Sequence, residues 1–248
     1  MLIRDQMAKS GDRLFRWRSY LPLAFMPFIL WSVLQGEQIE TQFGDLTGDL
    51  IEGLAILMVA AGEALRIATV GFVPRGTSGR NTTGQIASVL NTTGIYSLVR
   101  NPLYLGNCVM YLGVALFTQS VFLVLAMAMV LLFYYERIIA AEEAFLAEKF
   151  GVAYTDWAAR TPAFVPRLSG WVRSDMTFSL RSVIRREHPS VYGAVLMLFL
   201  VELGLHLLGG SVEPFEPEWL WIMAAASVAE IAVIFIKKRT QLLNAPGR

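Results

Sequence analysis

Six apolar stretches alternate with polar connections along the chain. They are Trp17–Leu34, Ile51–Val73, Leu103–Phe117, Val121–Arg137, Val191–Leu208 and Trp219–Ile236. A helix crosses the hydrocarbon core of a bilayer with roughly 20 apolar residues, within a range of about 17–25, so this pattern predicts about six transmembrane helices. Trp17 and Trp31 stand near the ends of the first run as interfacial anchors, and Pro22 and Pro27 should bend it. Only Thr118-Gln119-Ser120 separates the third run from the fourth, which predicts a tight helical hairpin whose tip barely leaves the membrane. The stretch from Ile138 to Pro189 is not a span. Within it, Ala140–Phe150 sets Phe145, Leu146 and Phe150 on one face and Glu142, Glu143, Glu148 and Lys149 mostly on the other. It should continue the fourth helix past the membrane and then lie along the interface. Pro162 and Pro166 end regular structure there.

Charge supplies a direction. Arg4, Lys9, Arg13, Arg16 and Arg18 precede the first run, whereas the connection after it holds Glu37, Glu40, Asp45 and Asp49 and no base. Arg75, Arg80 and Arg100 follow the second run, and the hairpin tip is uncharged. Lys149, Arg160, Arg167, Arg173, Arg181, Arg185 and Arg186 lie before the fifth run. Glu213, Glu216 and Glu218 precede the sixth, and Lys237, Lys238 and Arg239 close it. Basic connections stay in the cytoplasm, so six spans with both termini cytoplasmic satisfy every connection, as expected of an integral protein of the cell (inner) membrane. The N-terminus lacks the short apolar core and small-residue cleavage site of a signal peptide and reads as a cytoplasmic end.

Composition narrows the picture. Hydrophobic residues make up 55% of the 248 and charged residues 17%, below the roughly 25% of soluble domains. A net charge of +1 provides no field to recruit nucleic acid. Cys108 is the single cysteine, and His188 and His206 are far apart, so neither an internal disulfide nor a metal site is expected. The expected fold class is all-α: a polytopic membrane protein with a helical cap at the cytoplasmic face. Residues 1–50 are expected to form an N-terminal arm, first span and outer loop, 51–168 a core, and 169–248 a linker with two additional spans.

Two segments carry candidate chemistry. In Arg100-Asn101-Pro102-Leu103-Tyr104-Leu105-Gly106, proline holds Asn101 extended and suits the first turn of a helix. The third helix therefore starts here, with backbone donors and the positive end of its dipole facing the cytoplasm, a setting that favours a carboxylate or phosphate. Tyr104 is a polar-tipped ring at the membrane surface, and Gly106 permits close approach of a partner. Read alone, the segment is equally a well-formed helix start with an interfacial tyrosine. Glu142-Glu143 is either a solvated helix face or a carboxylate pair at the mouth of the bundle, able to hold the ammonium or ribose hydroxyls of a cofactor. Trp157, Phe164 and Pro166 could wall an adenine.

Taken together, Gly94-x-Tyr96, Arg100-x-Pro102-x-Tyr104-x-Gly106, Glu142-Glu143-x-x-Leu146, Phe150-Gly151-x-x-Tyr154, Pro162 and Pro166 resemble the integral-membrane methyltransferases. That group includes isoprenylcysteine carboxyl methyltransferase and the phospholipid methyltransferases. The resemblance covers about Ile51 to Pro166. It implies S-adenosylmethionine bound at the cytoplasmic face and lined by Ser88, Val89, Leu90, Asn91, Tyr96, Asn101, Pro102, Leu103 and Tyr104, with Glu142 as the cofactor-contacting glutamate beside Glu143. It also implies an arginine facing the lipid substrate, for which Arg137 is nearest. The family often has histidine where Asn101 stands, so an imidazole base is lost while a hydrogen-bonding group is kept.

An anionic oxygen needs no base to attack a sulfonium methyl, so a carboxylate or phosphate acceptor suits a site built from Arg100, Arg137 and a helix N-terminus, with Glu142 at the cofactor. An amine would need to lose a proton, to Glu142 or Glu143. The expected activity is methyl transfer to an anionic oxygen of a membrane-embedded lipid or lipidated molecule, with no nucleic acid partner. The alternatives are phospholipid N-methylation, a reductase of the sterol or isoprenoid type, and a transporter or scaffold using Glu63, Glu202 and Glu230. Glu63 and Arg66 should pair on the second helix, either as structure or as a cavity wall. Glu202, His206 and Glu230 read as links between helices, and Arg75, Arg80 and Asn81 as candidates to meet a headgroup.

Overall fold

Every apolar run folds as a helix. The structure, a computed structural model, describes residues 3–74, 87–210, 215–245 and 247; Arg75, Arg80, Asn81 and Glu213 lie outside the described residues. The helices are α1 (Ile3–Trp17), α2 (Leu21–Val33), α3 (Gln38–Phe43), α4 (Asp45–Gly71), α5 (Pro102–Phe117), α6 (Val121–Phe150), α7 (Val152–Arg160), α8 (Leu180–Leu208) and α9 (Pro217–Arg239). Among the described residues no strand forms beyond one isolated bridge between Gly94 and Val172. The protein is an all-α polytopic membrane protein. Among the described residues four helices, α4, α6, α8 and α9, are long and apolar enough to cross a bilayer. The six expected crossings therefore divide into four full-length helices and two shorter ones, α2 with 13 residues and α5 with 16.

The first run splits because of its prolines. Trp17 ends α1, a 3₁₀ turn over Arg18–Tyr20 follows, and α2 starts at Leu21 with Pro22 in its first turn, where a missing N–H costs nothing. The N-terminal arm, for which the sequence predicts no particular element, is a helix packed on α6. Gly11 makes this packing possible: a Cβ there would lie 1.9 Å from the Arg137 carbonyl oxygen. One turn further on, the Tyr134 hydroxyl donates to the Leu14 carbonyl at 3.0 Å. Gly11→Val should lift α1 off α6, and limited proteolysis should then cut within residues 3–17 much faster than in the parent protein.

At the acidic end, the α5–α6 hairpin turns as tightly as its three-residue connection demands. Thr118, Gln119 and Ser120 are fully buried, and Gln119 has a positive φ of 56° that non-glycine residues seldom adopt. The tip is covered rather than emergent. The Glu40 N–H of α3 donates to Gln119 Oε1 at 2.8 Å, and Ser32 of α2 donates to Thr118 Oγ1 at 2.9 Å.

The bundle centre is the α4–α5 pair. Gly62 and Gly106 face one another so closely that a Cβ on Gly62 would lie 2.6 Å from the Gly106 carbonyl oxygen. Seven residues along, Gly113 packs onto Ala55 and Val59. Small residues let helix backbones approach in a membrane, where dispersion and polar contacts replace the hydrophobic drive.

At the basic end, α6 runs unbroken to Phe150 and ends at Gly151, whose φ of 54° suits glycine. The segment Ala140–Phe150 thus continues α6 rather than turning along the interface, and α7 follows it. The chain then doubles back over the residues preceding α5. Arg100 N–H donates to the Pro162 carbonyl at 2.9 Å, Arg167 N–H to Leu98 at 3.0 Å and Gly94 N–H to Val172 at 2.8 Å. This is the expected helical cap.

Ser179 accepts from Ser182 N–H to cap α8, which begins eleven residues before the apolar run and carries Pro189 within it. Phe178 seats its ring on Gly71 of α4. Helix α9 adheres to α8 through His188, whose Nδ1 meets Glu230 at 2.9 Å and whose Nε2 meets Lys237 Nζ at 3.2 Å. A proton on Nδ1 satisfies both contacts. Glu230 therefore links helices, as expected. The His206 ring lies 5.4 Å from Phe215.

Candidate active site

The start of α5 and the basic end of α6 meet at one side-chain pair. Tyr104 donates its hydroxyl to Glu142 Oε1 at 2.7 Å. Both side chains are in place for reasons local to their helices. Pro102 fixes the first turn of α5, and Tyr104 lies within that turn. Glu142 projects from the part of α6 that outruns the apolar stretch. The Tyr104 ring stacks on Tyr135 with centroids 4.9 Å apart, and Tyr135 in turn meets Tyr134 edge-on. Tyr96, in the 3₁₀ turn before α5, belongs to the same neighbourhood. Burial foremost, and the Glu142 carboxylate after it, hold its phenol well above the ordinary range, opposed by Arg186.

Arg100 and Glu143 form a second bridge between the same elements. One guanidinium nitrogen of Arg100 donates to Glu143 Oε1 at 2.6 Å and the other to the Ala158 carbonyl at 2.7 Å. Asn101 donates to the Ala163 carbonyl at 3.0 Å. These three bonds strap α6, α7 and the doubled-back chain to the start of α5. No side chain caps the first turn of α5. Pro102 is fully buried, Leu103 is half-buried, and so are Leu90 and Asn91, whereas Ser88 and Val89 are exposed.

Arg137 stands elsewhere. It donates to the Phe133 carbonyl at 2.9 Å and lies over the exposed Phe133 ring, on the stretch of α6 whose backbone Gly11 of α1 packs against. Of the proposed adenine wall, Trp157 is buried against Tyr154 with its indole N–H lacking a hydrogen-bond partner, Phe164 packs on the core, and Pro166 is exposed.

The sequence reading overlooked two members of the cluster. Asn107 donates to the Tyr135 hydroxyl at 3.2 Å and accepts from Arg66 at 2.5 Å. The signal available was spacing: Tyr104 and Asn107 are three apart on α5, and Tyr135 and Glu142 seven apart on α6, so each pair shares a face. Arg66 and Glu63 do approach, but only to 3.9 Å; the short contact of Arg66 is with Glu187 of α8, at 2.5 Å. Among the described residues no group of three or more His, Cys, Asp or Glu side chains could hold a metal ion.

One comparison with known proteins falls on this region. Residues 53–153 match the family model described as phospholipid methyltransferase. The chain is 36% identical over 127 residues to the nickel-cobalt-cadmium resistance protein NccN of Alcaligenes xylosoxydans xylosoxydans, covering 50% of this chain and 59% of that one. It is 40% identical over 86 residues to the cobalt-zinc-cadmium resistance protein CzcN of Cupriavidus metallidurans, covering 35% and 39%. It is 32% identical over 78 residues to protein-S-isoprenylcysteine O-methyltransferase of Schizosaccharomyces pombe, covering 32% and 33%. The matched segments thus span from a third to about six-tenths of these relatives. No solved structure matches the chain.

Proposed function

We propose that the protein transfers a methyl group from S-adenosylmethionine to an anionic oxygen, carboxylate or phosphate, of a membrane-embedded lipid or lipidated molecule; the match of residues 53–153 to the phospholipid methyltransferase model and the similarity to an isoprenylcysteine O-methyltransferase support this reading. The observation that carries this reading is the Tyr104–Glu142 bond. It joins the two segments that the family resemblance assigns to the cofactor, although they lie 38 positions apart in the chain.

The residues present fit the cofactor. The uncapped first turn of α5 offers backbone donors and a positive dipole end to a carboxylate, and the Glu142 carboxylate can accept from an ammonium or a ribose hydroxyl. When bound, S-adenosylmethionine supplies an electrophilic methyl on a sulfonium sulfur. Tyr104 holds Glu142 in one orientation. Arg100, spent on Glu143 and Ala158, acts as a strut that fixes the walls of the site, and Arg137 is placed to meet lipid rather than the Tyr104–Glu142 pair. With both termini at this basic, cytoplasmic face, the acceptor enters from the inner leaflet.

The names of two relatives bear on the acceptor. Methylating a carboxylate or phosphate removes a negative charge that would otherwise attract divalent cations to the membrane surface, whereas methylating an amine does not. One observation favours an amine instead: the guanidinium bonds of Arg100 and Arg137 go to protein groups, while Glu142 stands ready to take a proton.

Purified protein incubated with methyl-labelled cofactor and total membrane lipid should label a lipid fraction. Mass spectrometry of that fraction separates an ester from a methylamine. No label in any fraction, together with no cofactor binding by calorimetry, would end the proposal.

A further inference from the structure

Helix α8 lies outside the segment matched by the family, yet it reaches the candidate site through a continuous, partly buried path. Ser190 donates to Glu63 Oε2 at 2.8 Å, and Glu187 Oε2 accepts from Arg66 at 2.5 Å. Arg66 donates from its other terminal nitrogen to Asn107, Asn107 donates to the Tyr135 hydroxyl, and the Tyr135 ring lies on Tyr104, which holds Glu142. The side chains of Glu63, Arg66 and Glu187 are 10%, 11% and 6% exposed. The stem of Arg66 fits only because the neighbouring residue on α5 is Gly106: a Cβ there would lie 2.7 Å from Arg66 Cγ. One position before Glu187, Arg186 is near enough for its charge to act on Tyr96.

Two acids and one arginine buried together are a costly way to join helices. Apolar residues of similar volume do as well or better, and ionisable groups inside a membrane protein mark function by default. The α8–α9 contact, by contrast, places its His188–Glu230 pair away from this path. We infer that Glu187 is a positioning residue for methyl transfer: with Ser190 it fixes Arg66 and Glu63, and through Asn107 it sets the tilt of Tyr135 and so of the Tyr104–Glu142 pair. The inference rests on the methyltransferase reading. It assigns the added helix a part in the site rather than in anchoring alone.

The test is S-adenosylhomocysteine binding by calorimetry to the full-length protein in detergent. Glu187→Gln keeps shape and one hydrogen bond but removes the charge, and should weaken binding roughly five- to tenfold. His188→Gln, on the neighbouring position but facing α9, should bind as the parent does. Tyr135→Phe removes the hydroxyl that receives Asn107, and the double variant Glu187→Gln/Tyr135→Phe should lose no more than the weaker-binding single variant. Parent-like binding by Glu187→Gln, equal loss in His188→Gln, or additive losses in the double variant would each overturn the inference and leave the methyltransferase reading standing. No binding by the parent overturns both. Should Glu187→Gln fail to accumulate, Asn107→Ala cuts the same path between Arg66 and Tyr135. It should show the same deficit, and undiminished binding by it overturns the inference equally.

Discussion

Glu142→Ala should weaken S-adenosylhomocysteine binding by roughly ten- to a hundredfold while the protein still folds. The estimate follows from the kind of bond lost. A hydrogen bond to a charged group contributes about 1.5–3 kcal/mol, and each 1.4 kcal/mol is a factor of ten in affinity. The side chain is half-buried at the end of α6, beyond the apolar stretch, so its removal leaves no large cavity. Tyr104→Phe should show a smaller loss of the same kind, because the ring keeps its place on Tyr135 while Glu142 loses its donor. Calorimetry on both variants reads the difference directly. If Glu142→Ala binds like the parent, the carboxylate is not at the cofactor and the site has been put in the wrong place. A transporter using the acids Glu63, Glu202 and Glu230 of α4, α8 and α9 would be indifferent to this change.

The second large effect concerns the bundle itself. A valine at Gly62 would drive its Cβ to 2.6 Å from both the Gly106 carbonyl oxygen and Met110 Cγ, and to 3.0 Å from the Met110 nitrogen. Two of those atoms are backbone, so relief requires α4 and α5 to move apart along the contact that also seats Arg66. Overpacking of this sort costs about 3 kcal/mol or more. A thermal unfolding scan in detergent should show a fall of roughly 10 °C for a chain of this size. Gly53→Ala, on the same helix with nothing within 4 Å of the added carbon, is the contrast and should be neutral or slightly stabilising. Equal behaviour of the two variants would refute close α4–α5 packing.

What could be read from the chain follows from which forces are local. The apolar runs were legible because a bilayer imposes length and hydropathy on each helix separately. The start of α5 was legible because Pro102 speaks for its own turn. Helix α1 was not, since its stripe of Met7, Gly11, Leu14 and Phe15 is short and interrupted by charge, and its reason for existing is a surface of α6 more than a hundred positions away. The same holds within the site. Tyr104 and Glu142 could be paired through a family resemblance. Asn107 and Tyr135 looked like ordinary occupants of apolar helices until their helices were set side by side. The partner of Arg66 was sought three residues away in Glu63, whereas its closest carboxylate, Glu187, arrives from α8. The pair on one helix was legible from its spacing, whereas the shorter contact was not, because register between helices decides which acid from another helix the guanidinium reaches.

The unbroken course of α6 has a consequence for which molecules can react. From Val121, at the buried hairpin, to Glu142 the helix climbs about 32 Å at 1.5 Å per residue, against a hydrocarbon thickness of about 30 Å. On the proposed site the rod is a ruler: with its hairpin end at the far leaflet, it would set the methyl donor level with the near headgroups. A lipid whose reactive atom rides at that height can be modified without lifting its chains out of the oil. One whose reactive atom sits a few ångströms deeper or shallower is out of range, whatever its chemistry. Membrane thickness therefore becomes a determinant of substrate choice.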